Sequence, residues 1–340
     1  MEPTVAVIGA TGAVGGVLLR VAEQREFPVA KLKLLASARS AGKQIPFRGQ
    51  NITVEEVSRE AFEDVDIVFC AASADVSRQW SPVASEVGAV VVDKGSAFRM
   101  DPSVPLVVPE VNGDDIDWHE GIVATPNCTS TPLVIALNAM RQVAPLRRVT
   151  AATYQAVSGS GAEAMAELTA QVQAIGREDA VPAPQQYPQQ IAMNVLPHVD
   201  DFVSEEDHYT KEELKMRNET RKILHEDELP VATTCVRVPT MVGHAEAVHV
   251  EFTSEAPMGQ LREALMSQPG LEFISDPTQY ITPLQAEGDD RTFVSRVRRD
   301  PTVEHGVVFW CVTDNLRKGA ATNAIQIAEE LIRRGKLKRS

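Results

Sequence analysis

The feature that most constrains the fold of this sequence is a glycine-rich turn near its start. Val5–Ile8 is a short apolar run typical of a buried strand, and Val14–Glu23 carries apolar residues at a helical period. The turn between them reads Gly9-Ala10-Thr11-Gly12-Ala13-Val14-Gly15. A strand, a glycine turn and a helix in this order are typical of a parallel sheet covered by helices. Such glycines let a pyrophosphate approach the helix N-terminus, although an ordinary strand-to-helix turn remains the alternative.

The alternation of short strands and helices continues up to Cys128, and a different texture follows it. Strand-like runs occur first at Leu32–Ala36, Ile67–Ala71, Val90–Asp93 and Leu106–Val108, and later at Val149–Val157, Val231–Val238 and Ala247–Phe252. The longer later runs favour an antiparallel α+β domain. Pro182–Pro197 looks like an extended connection, and the helical pattern at Arg317–Arg334 is expected to return to the first domain.

These patterns predict an α/β protein of two domains. An N-terminal Rossmann-like dinucleotide-binding domain would comprise residues 1–127 and 316–340, and an α+β domain would be inserted at residues 128–315. A chain of 340 residues is too long for one ordinary core, which agrees with this division.

Composition excludes several classes of partner. The chain has 33 basic and 47 acidic residues, a formal charge of −14 that would repel nucleic acid and anionic membrane surfaces. The four cysteines lack the spacing of a metal site or a disulfide framework, so we expect no metal and a reduced, cytoplasmic protein. The first residues lack a signal-peptide pattern, and no run approaches the ~20 apolar residues of a membrane span.

The loop after the second predicted strand favours NADP over NAD. An acidic residue here would bind the ribose 2′-hydroxyl and repel a 2′-phosphate. The stretch from Ala36 to Lys43 contains no carboxylate and offers Ser37, Arg39 and Ser40 to a phosphate. A solvated basic loop is the alternative.

Cys128 is the candidate nucleophile. It precedes Pro132 and an apolar helical run, and proline is tolerated only in the first turn, so a helix should begin close to Cys128. A thiol at a helix N-terminus has a lowered pKa, which raises its thiolate fraction. The other cysteines lie in strand-like apolar runs, where burial makes a thiol inert.

Several segments taken in order resemble one family of enzymes. They are Gly9 to Gly15, Thr125-Pro126-Asn127-Cys128-Thr129-Ser130, Gln155-Ala156-Val157-Ser158-Gly159-Ser160-Gly161, Arg237-Val238-Pro239 and Gly243-His244. Together they resemble aspartate-semialdehyde dehydrogenases over nearly the whole chain. The resemblance implies reductive dephosphorylation of L-aspartyl 4-phosphate to L-aspartate 4-semialdehyde with NADPH, in the synthesis of lysine, threonine and methionine. It also implies a homodimer or homotetramer and a catalytic and dimerisation role for the inserted domain.

The same resemblance assigns roles to individual residues. Cys128 would form a thioester and His244 would be the acid/base, because an imidazole with a pKa near neutrality can exchange protons with the thiol. The substrate ligands would be Gln155, Arg237 and Glu212, and the phosphate ligands Arg99, Lys215 and Asn127. The cofactor ligands would be Gly9, Thr11, Gly12, Ala13, Val14, Ser158, Gly159 and Asn315, beside Ser37, Arg39 and Ser40.

The residues alone leave other interpretations open. Gln155 could be a polar residue of an edge strand, Arg237 could face solvent, and Asn315 could cap a helix. Glu212 and Lys215, at i, i+3 spacing, could be a solvated ion pair. As a whole, the chain could instead be an N-acetyl-γ-glutamyl-phosphate reductase or a non-catalytic NADP-binding sensor.

Overall fold

The chain divides into two units. The computed structural model describes residues 2–203 and 208–337. Unit 1 comprises Met1–Asn127 with Ala320–Ser340, and unit 2 comprises Cys128–Gly319. The first boundary coincides with the predicted one, whereas the second lies at 319/320 instead of 315/316.

Unit 1 is built on a seven-stranded sheet in the order β3-β4-β2-β1-β5-β6-β7. Its strands are β1 (Thr4–Ile8), β2 (Lys31–Ala36), β3 (Gln44–Phe47), β4 (Gln50–Glu56), β5 (Ile67–Cys70), β6 (Val90–Asp93) and β7 (Ile122–Ala124). Only β3 and β4 pair antiparallel; every other neighbouring pair is parallel. Because β1 pairs with β2 on one side and β5 on the other, the strand order reverses at β1, where α/β sheets bind ligands beyond the carboxyl ends of the strands.

Two details of this sheet differ from the sequence prediction. Leu106–Val108 is not a strand: Leu106 makes only an isolated bridge to Ala124 of β7. The hairpin of β3 and β4 was not predicted, because most of its side chains are polar and exposed and give no core signal.

The helices of unit 1 that precede Cys128 are α1 (Ala13–Gln24), α2 (Ala74–Glu86) and α3 (Pro109–Asn112). Helix α1 starts directly after the glycine turn and buries the apolar side of its surface, including Val17, Leu18 and Val21. The predicted stripe of apolar residues is therefore the face by which α1 enters the core.

Unit 2 contains a six-stranded mixed sheet in the order β11-β12-β13-β10-β8-β9. Its elements are α4 (Ser130–Arg141), β8 (Leu146–Gln155), α5 (Ala162–Gly176), α6 (Lys211–Leu224), β9 (Val231–Arg237), β10 (His244–Phe252), α7 (Met258–Ser267), β11 (Leu271–Phe273), α8 (Pro283–Ala286), β12 (Thr292–Asp300) and β13 (Gly306–Thr313). The pairs β8/β9 and β11/β12 are parallel and the others antiparallel, so the sheet is mixed where we expected an antiparallel one.

The two faces of the unit 2 sheet have different environments. Along β8, β9 and β10 buried side chains alternate with more exposed ones. Helix α6 packs on β9, and α4 packs on β12, β13 and α6, so these helices cover the buried face. This alternation places Gln155, Arg237 and His244 on the same face, beneath the helices.

The chain ends with α9 (Thr322–Arg333), which follows a π-helical turn at Arg317–Ala321. Helix α9 packs against α1, and the Asn323 side chain donates a hydrogen bond to the Val107 carbonyl (2.9 Å). An ion pair joins Arg25 to Glu329 (2.7 Å). Within residues 2–203 and 208–337, no helix has the length and apolar character needed to cross a membrane.

Candidate active site

In the glycine turn, neighbouring backbone segments lie so close together that side chains would not fit at Gly9 and Gly15. Gly9 has φ +81°, and a Cβ there would lie 2.6 Å from the Ala71 carbonyl oxygen. A Cβ on Gly15 would lie closer still to the Gly9 carbonyl oxygen. Gly12 is the N-cap of α1, and the first turn of this helix has no acidic residue. Side chains larger than hydrogen are thus excluded where the helix N-terminus attracts anions.

The residues proposed to select NADP lie just beyond β2. Ser37 and Arg39 are exposed, whereas Ser40 is buried in a short 3-10 turn. The 3-10 turn, Ala38–Ser40, contains no acidic residue. In the same unit, Arg99 is buried and donates a hydrogen bond from Nη2 to the Lys94 carbonyl (2.8 Å).

Cys128 differs from the other three cysteines in exposure and position. It lies two residues before the first residue of α4 and is half-buried. The first turn of α4 has no acidic residue that would oppose a thiolate. A Cβ on Gly319 would lie 2.9 Å from the Cys128 Cβ, so only glycine fits against Cys128 there. The prediction that a helix begins close to Cys128 is confirmed.

The remaining cysteines are buried in strands, as predicted. Cys70 lies in β5, where burial and then the nearby Asp93 charge raise the pKa of its thiol to about 12. Burial also raises the pKa of Cys235 in β9, where the charges of Glu212 and Glu213 add to it, and burial raises the pKa of Cys311 in β13. These thiols stay protonated near neutral pH and are poor nucleophiles.

Three predicted site residues of unit 2 lie in one cross-strand row. Arg237 ends β9 opposite Gln155, which ends β8, and His244 starts β10 opposite Thr313 of β13. We call Arg237, Gln155, His244 and Thr313 the outer row. All four are at least nine-tenths buried. The row forms because these strands end or begin at the same edge of the sheet.

His244 is held as a neutral ring with its proton on Nε2. The Ala156 backbone N–H donates to His244 Nδ1 (3.0 Å), so Nδ1 must accept and the proton of a neutral ring lies on Nε2. Nε2 is buried and has no hydrogen-bond partner among the described residues. Burial, and then the positive charge of Arg237, lower the pKa of His244 to about 3. The expectation of a pKa near neutrality is therefore wrong for this structure.

Arg237 is a buried guanidinium that has no ion pair in the part of the chain that the structure describes. Its Nη1 donates to the Ala156 carbonyl (2.6 Å), and its guanidinium lies 5.9 Å from the centre of the Tyr187 ring. Its Nε is buried without a partner among the described residues. A buried cation of this kind needs an anion, and a planar guanidinium suits a carboxylate. The alternative of a solvent-facing Arg237 is excluded.

Gln155, Glu212 and Lys215 form one connected group. Gln155 Nε2 donates to Glu212 Oε1 (3.0 Å), and Lys215 Nζ lies 3.2 Å from Glu212 Oε2. Thr153 in turn donates to Gln155 Oε1 (3.0 Å). The side chain of Glu212 is only 7% exposed, so it is not part of a solvated pair. Lys215 also pairs with Asp200 (2.6 Å), which the sequence did not indicate.

The loop after β8 is tied to the end of β13 through Asn315. The Asn315 side chain accepts from the Gly243 N–H (2.8 Å) and shares two hydrogen bonds with the Ser158 hydroxyl (3.0 and 3.1 Å). A Cβ on Gly159 would lie 3.2 Å from Arg237 Nη1 and 3.3 Å from His244 Nε2. Asn315 thus fixes the loop that covers the outer row, and it is not a helix N-cap.

A second row of side chains lies beneath the outer row and was not found from the sequence. Cys235, Thr153, Glu246 and Cys311 are paired across β9, β8, β10 and β13, and we call them the inner row. Glu246 is 1% exposed, and neither of its side-chain oxygens has a partner among the described residues. Burial raises the pKa of Glu246 well above its usual value, which keeps the carboxyl protonated.

The described residues contain no group of His, Cys, Asp and Glu side chains that could hold a metal ion. The structure brings together Gln155, Arg237, His244, Glu212 and Lys215 within unit 2. It places Arg99 and Asn127 in unit 1.

Comparisons with known proteins identify the family of this chain. Residues 4–119 match the family described as "Semialdehyde dehydrogenase, NAD binding domain", and residues 137–318 match "Semialdehyde dehydrogenase, dimerisation domain". The aspartate-semialdehyde dehydrogenase of Aquifex aeolicus (strain VF5) is 47% identical over 336 residues, which cover 97% of this chain and 98% of the relative. The chain belongs to the aspartate-semialdehyde dehydrogenase family.

Solved structures of aspartate-semialdehyde dehydrogenases support the same family. The Vibrio cholerae enzyme II complexed with ASA has a TM-score of 0.95 and 41% identity, covering 98% of this chain and 99% of that one. The Candida albicans enzyme with NADP has a TM-score of 0.77 and 25% identity, covering 99% of both chains. These matches confirm the predicted family, the fold class and the oxidoreductase activity.

Proposed function

We propose that the chain catalyses the NADPH-dependent reductive dephosphorylation of L-aspartyl 4-phosphate to L-aspartate 4-semialdehyde through a thioester on Cys128. The observation that carries this proposal is the outer row. It combines a buried cation that has no ion pair among the described residues, Arg237, with a buried imidazole donor, His244, on the unit that also holds a half-buried cysteine at a helix start. Family membership gives the reaction class.

The first step is attack by the Cys128 thiolate on the acyl phosphate. A C–S bond forms, the C–O bond to phosphate breaks, and phosphate leaves with the electron pair and takes one proton from solvent. NADPH, when bound, supplies the hydride that reduces the thioester. The resulting oxyanion then re-forms the C=O bond and expels Cys128 as a thiolate, so the sulfur needs no base in each turnover.

His244 acts in this scheme as a neutral donor. The Nε2–H tautomer has no lone pair at Nε2 with which to take the thiol proton. We assign to this N–H the hydrogen bond to the oxyanion, a contact worth about 10²–10³ in rate in comparable sites. The Ala156 N–H holds the ring in the required tautomer.

The substrate is held by charges of both signs. We assign the α-carboxylate to Arg237, whose Nε lacks a partner in the described chain. Glu212 receives the α-ammonium, because its carboxylate is buried beside the Gln155 amide. Lys215, Arg99 and Asn127 are assigned to the phosphate.

The cofactor residues of unit 1 fit a dinucleotide. The pyrophosphate would lie at the N-terminus of α1, on Gly9, Thr11, Gly12, Ala13 and Val14. Gly9 and Gly15 leave no space for a side chain, so the backbone is open to a close ligand there. Ser37, Arg39 and Ser40 would bind the 2′-phosphate, which favours NADP over NAD. The Candida albicans relative, solved with NADP, supports this choice.

We also propose a homodimer formed through the more open face of the unit 2 sheet. This face carries Tyr154, Ala247 and Trp310. Ala247 lines two shallow concave areas of about 360 and 350 Å³, and Trp310 lines the first of them. The rings of Tyr154 and Trp310 are 5.5 Å apart, and Tyr154 is 39% exposed. Exposed aromatic residues are enriched at protein interfaces. The match to a dimerisation domain supports the choice of unit 2.

An assay in the oxidative direction tests the reaction. The protein is mixed with aspartate semialdehyde, phosphate and either NADP or NAD, and absorbance of the reduced cofactor is followed. We expect phosphate-dependent turnover with NADP and much slower turnover with NAD. No turnover with aspartate semialdehyde, or turnover only with N-acetyl-γ-glutamyl semialdehyde, would contradict the substrate assignment.

The Cys128→Ser variant tests the covalent step. A serine alkoxide is not available near neutral pH, so we expect turnover to fall below detection. Mass spectrometry of the wild-type protein mixed with acyl phosphate and no cofactor should show an adduct that the variant lacks. Retention of more than a few per cent of activity would contradict the thioester.

A further inference from the structure

The segment before α6 carries a carboxylate onto a lysine of the proposed phosphate site. Leu196 exchanges two backbone hydrogen bonds with Arg237 (2.8 and 2.9 Å), which anchors the segment to β9. Further along, the Asp201 carbonyl accepts from the Lys211 N–H (2.8 Å), which anchors it to α6. Asp200 is therefore held between two fixed points.

Asp200 makes the closer ion pair to Lys215. The distance from Lys215 Nζ is 2.6 Å to Asp200 Oδ2 and 3.2 Å to Glu212 Oε2. Asp200 has φ +66°, and its Oδ1 accepts from the N–H of Asp201 (2.8 Å), so both its backbone and its carboxylate are constrained. One ammonium is thus shared by two carboxylates.

The protonation states agree with this arrangement. Burial raises the pKa of Asp200, but the hydrogen bonds from Lys215 and the Asp201 N–H outweigh it, and the pKa ends below its usual value. Burial lowers the pKa of Lys215, but the charges of Glu212 and Asp200 outweigh it, and the pKa ends above its usual value. The pair is ionised near neutral pH, and an anion reaching Lys215 must compete with it.

We propose that Asp200 determines the specificity of this site for phosphate. This rests on the proposed function, in which Lys215 binds phosphate. Asp200 occupies Lys215 when phosphate is absent, and a phosphate dianion displaces it because its charge and oxygens bind the ammonium more strongly than one carboxylate does. A singly charged anion gains no advantage over Asp200 and is kept out. Asp200 thus sets the KM for phosphate without touching the reacting atoms.

The variant Asp200→Asn tests this role, with Asp201→Asn as the matched control. Asparagine tolerates positive φ as well as aspartate does, so the backbone is preserved. Asp201 pairs with Lys211 (2.8 Å) at the surface, and its change removes the same charge one residue away. We expect Asp200→Asn to lower the phosphate KM about three- to fivefold, as for loss of one competing ion pair. Asp201→Asn should change it by less than about twofold.

Two further measurements complete the test. The KM for NADP should stay the same in both variants, and acetate should inhibit Asp200→Asn more than the wild type in competition with phosphate. In a Lys215→Ala background, Asp200→Asn should lose its effect on phosphate. A phosphate KM that is unchanged or raised in Asp200→Asn overturns the inference, because a residue that only positions Lys215 would weaken phosphate when changed. Absence of phosphate-dependent turnover in the wild type would instead overturn the proposed function.

Discussion

A single backbone N–H determines what His244 can do. Because Ala156 donates to Nδ1, the ring presents a proton at Nε2 instead of a lone pair. Burial and the charge of Arg237 lower the pKa of His244 to about 3, which favours the neutral ring near neutral pH. The imidazole is therefore suited to hold developing negative charge, as a fixed dipole does.

Replacing His244 by Gln and by Ala should separate a donor from a base. The Gln side-chain amide can donate from its nitrogen, whereas Ala cannot. We expect His244→Gln to keep a kcat at least about tenfold above that of His244→Ala, whose loss should reach about 10²–10³ relative to wild type. Initial rates with NADP, aspartate semialdehyde and phosphate measure this.

The pH profile gives the second readout for His244. The wild-type kcat should show no decrease with a midpoint near 6.5 as the pH falls from 8 to 5, because the ring is already neutral above its lowered pKa. If His244 were a base of ordinary pKa, such a decrease would appear, and the Gln and Ala variants would be equally inactive.

At the residue scale, the sequence indicated candidate residues, but it did not indicate their tautomers or their contacts with distant segments. The position of Cys128 just before a helix could be predicted because Pro132 marks the helix start locally. The tautomer of His244 depends on Ala156, 88 positions away, and the contact of Arg237 with Tyr187 likewise joins distant segments. No local pattern encodes such contacts. Asp200 gave no signal for the same reason.

At the scale of elements, the outer and inner rows of the unit 2 sheet are neighbours on one face but differ in charge. The outer row presents donors and a cation at the edge, while the inner row buries Glu246 between the Cys311 thiol and the Thr153 hydroxyl. Glu213 of α6 accepts the Cys235 N–H (3.1 Å) beside the inner row. The protonated Glu246 adds no charge below His244 and Arg237, so it does not offset the low pKa of the imidazole.

The inner row predicts a dependence of stability on pH. The folded pKa of Glu246 is raised, so the unfolded chain ionises first as the pH rises above about 4.5, and stability falls with rising pH by up to ~1.4 kcal/mol per unit. Glu246→Gln removes this ionisation and keeps the shape. We expect its melting temperature to decrease less than that of the wild type between pH 5 and pH 8.

Glu251→Gln is the control for the inner row. Glu251 lies on the same strand but on the other face, paired with Arg147 and Arg148. This variant should keep the wild-type dependence on pH. If Glu246→Gln also kept it, or melted at lower temperature at pH 8 than the wild type, the carboxyl would have to be ionised in the folded protein.

Regular elements with a buried stripe were predicted well, and exposed or very short ones were not. The extents of β1, β2, β5, β6 and α1 agree with the predictions within one or two residues. The β3/β4 hairpin and the three-residue β7 were missed, because they carry too few apolar side chains to set a period. The parallel pairing of β8 with β9 depends on the long connection between them, which no strand pattern records.

For the whole molecule, the proposed dimer face predicts which substitution should change the oligomeric state. Ala247 lines both concave areas of that face, so Ala247→Arg places a long charged side chain in the interface. We expect light scattering after size-exclusion chromatography to give the monomer mass for this variant and the dimer mass for the wild type. Ala170→Arg, at an exposed position of α5, should leave the mass unchanged. A dimer that survives Ala247→Arg would place the interface elsewhere.

Unit 1 is built from two separate segments of the chain, so it cannot be completed until the second segment has been synthesised. Ile325, Ile327, Ala328 and Leu331 of α9 are fully or almost fully buried in that unit, although nearly two hundred residues separate α9 from the rest of it. The apolar surface that α9 covers therefore stays uncovered until α9 has been synthesised. Unit 2, Cys128–Gly319, precedes α9 in the chain, so it is free to fold during synthesis before unit 1 is completed.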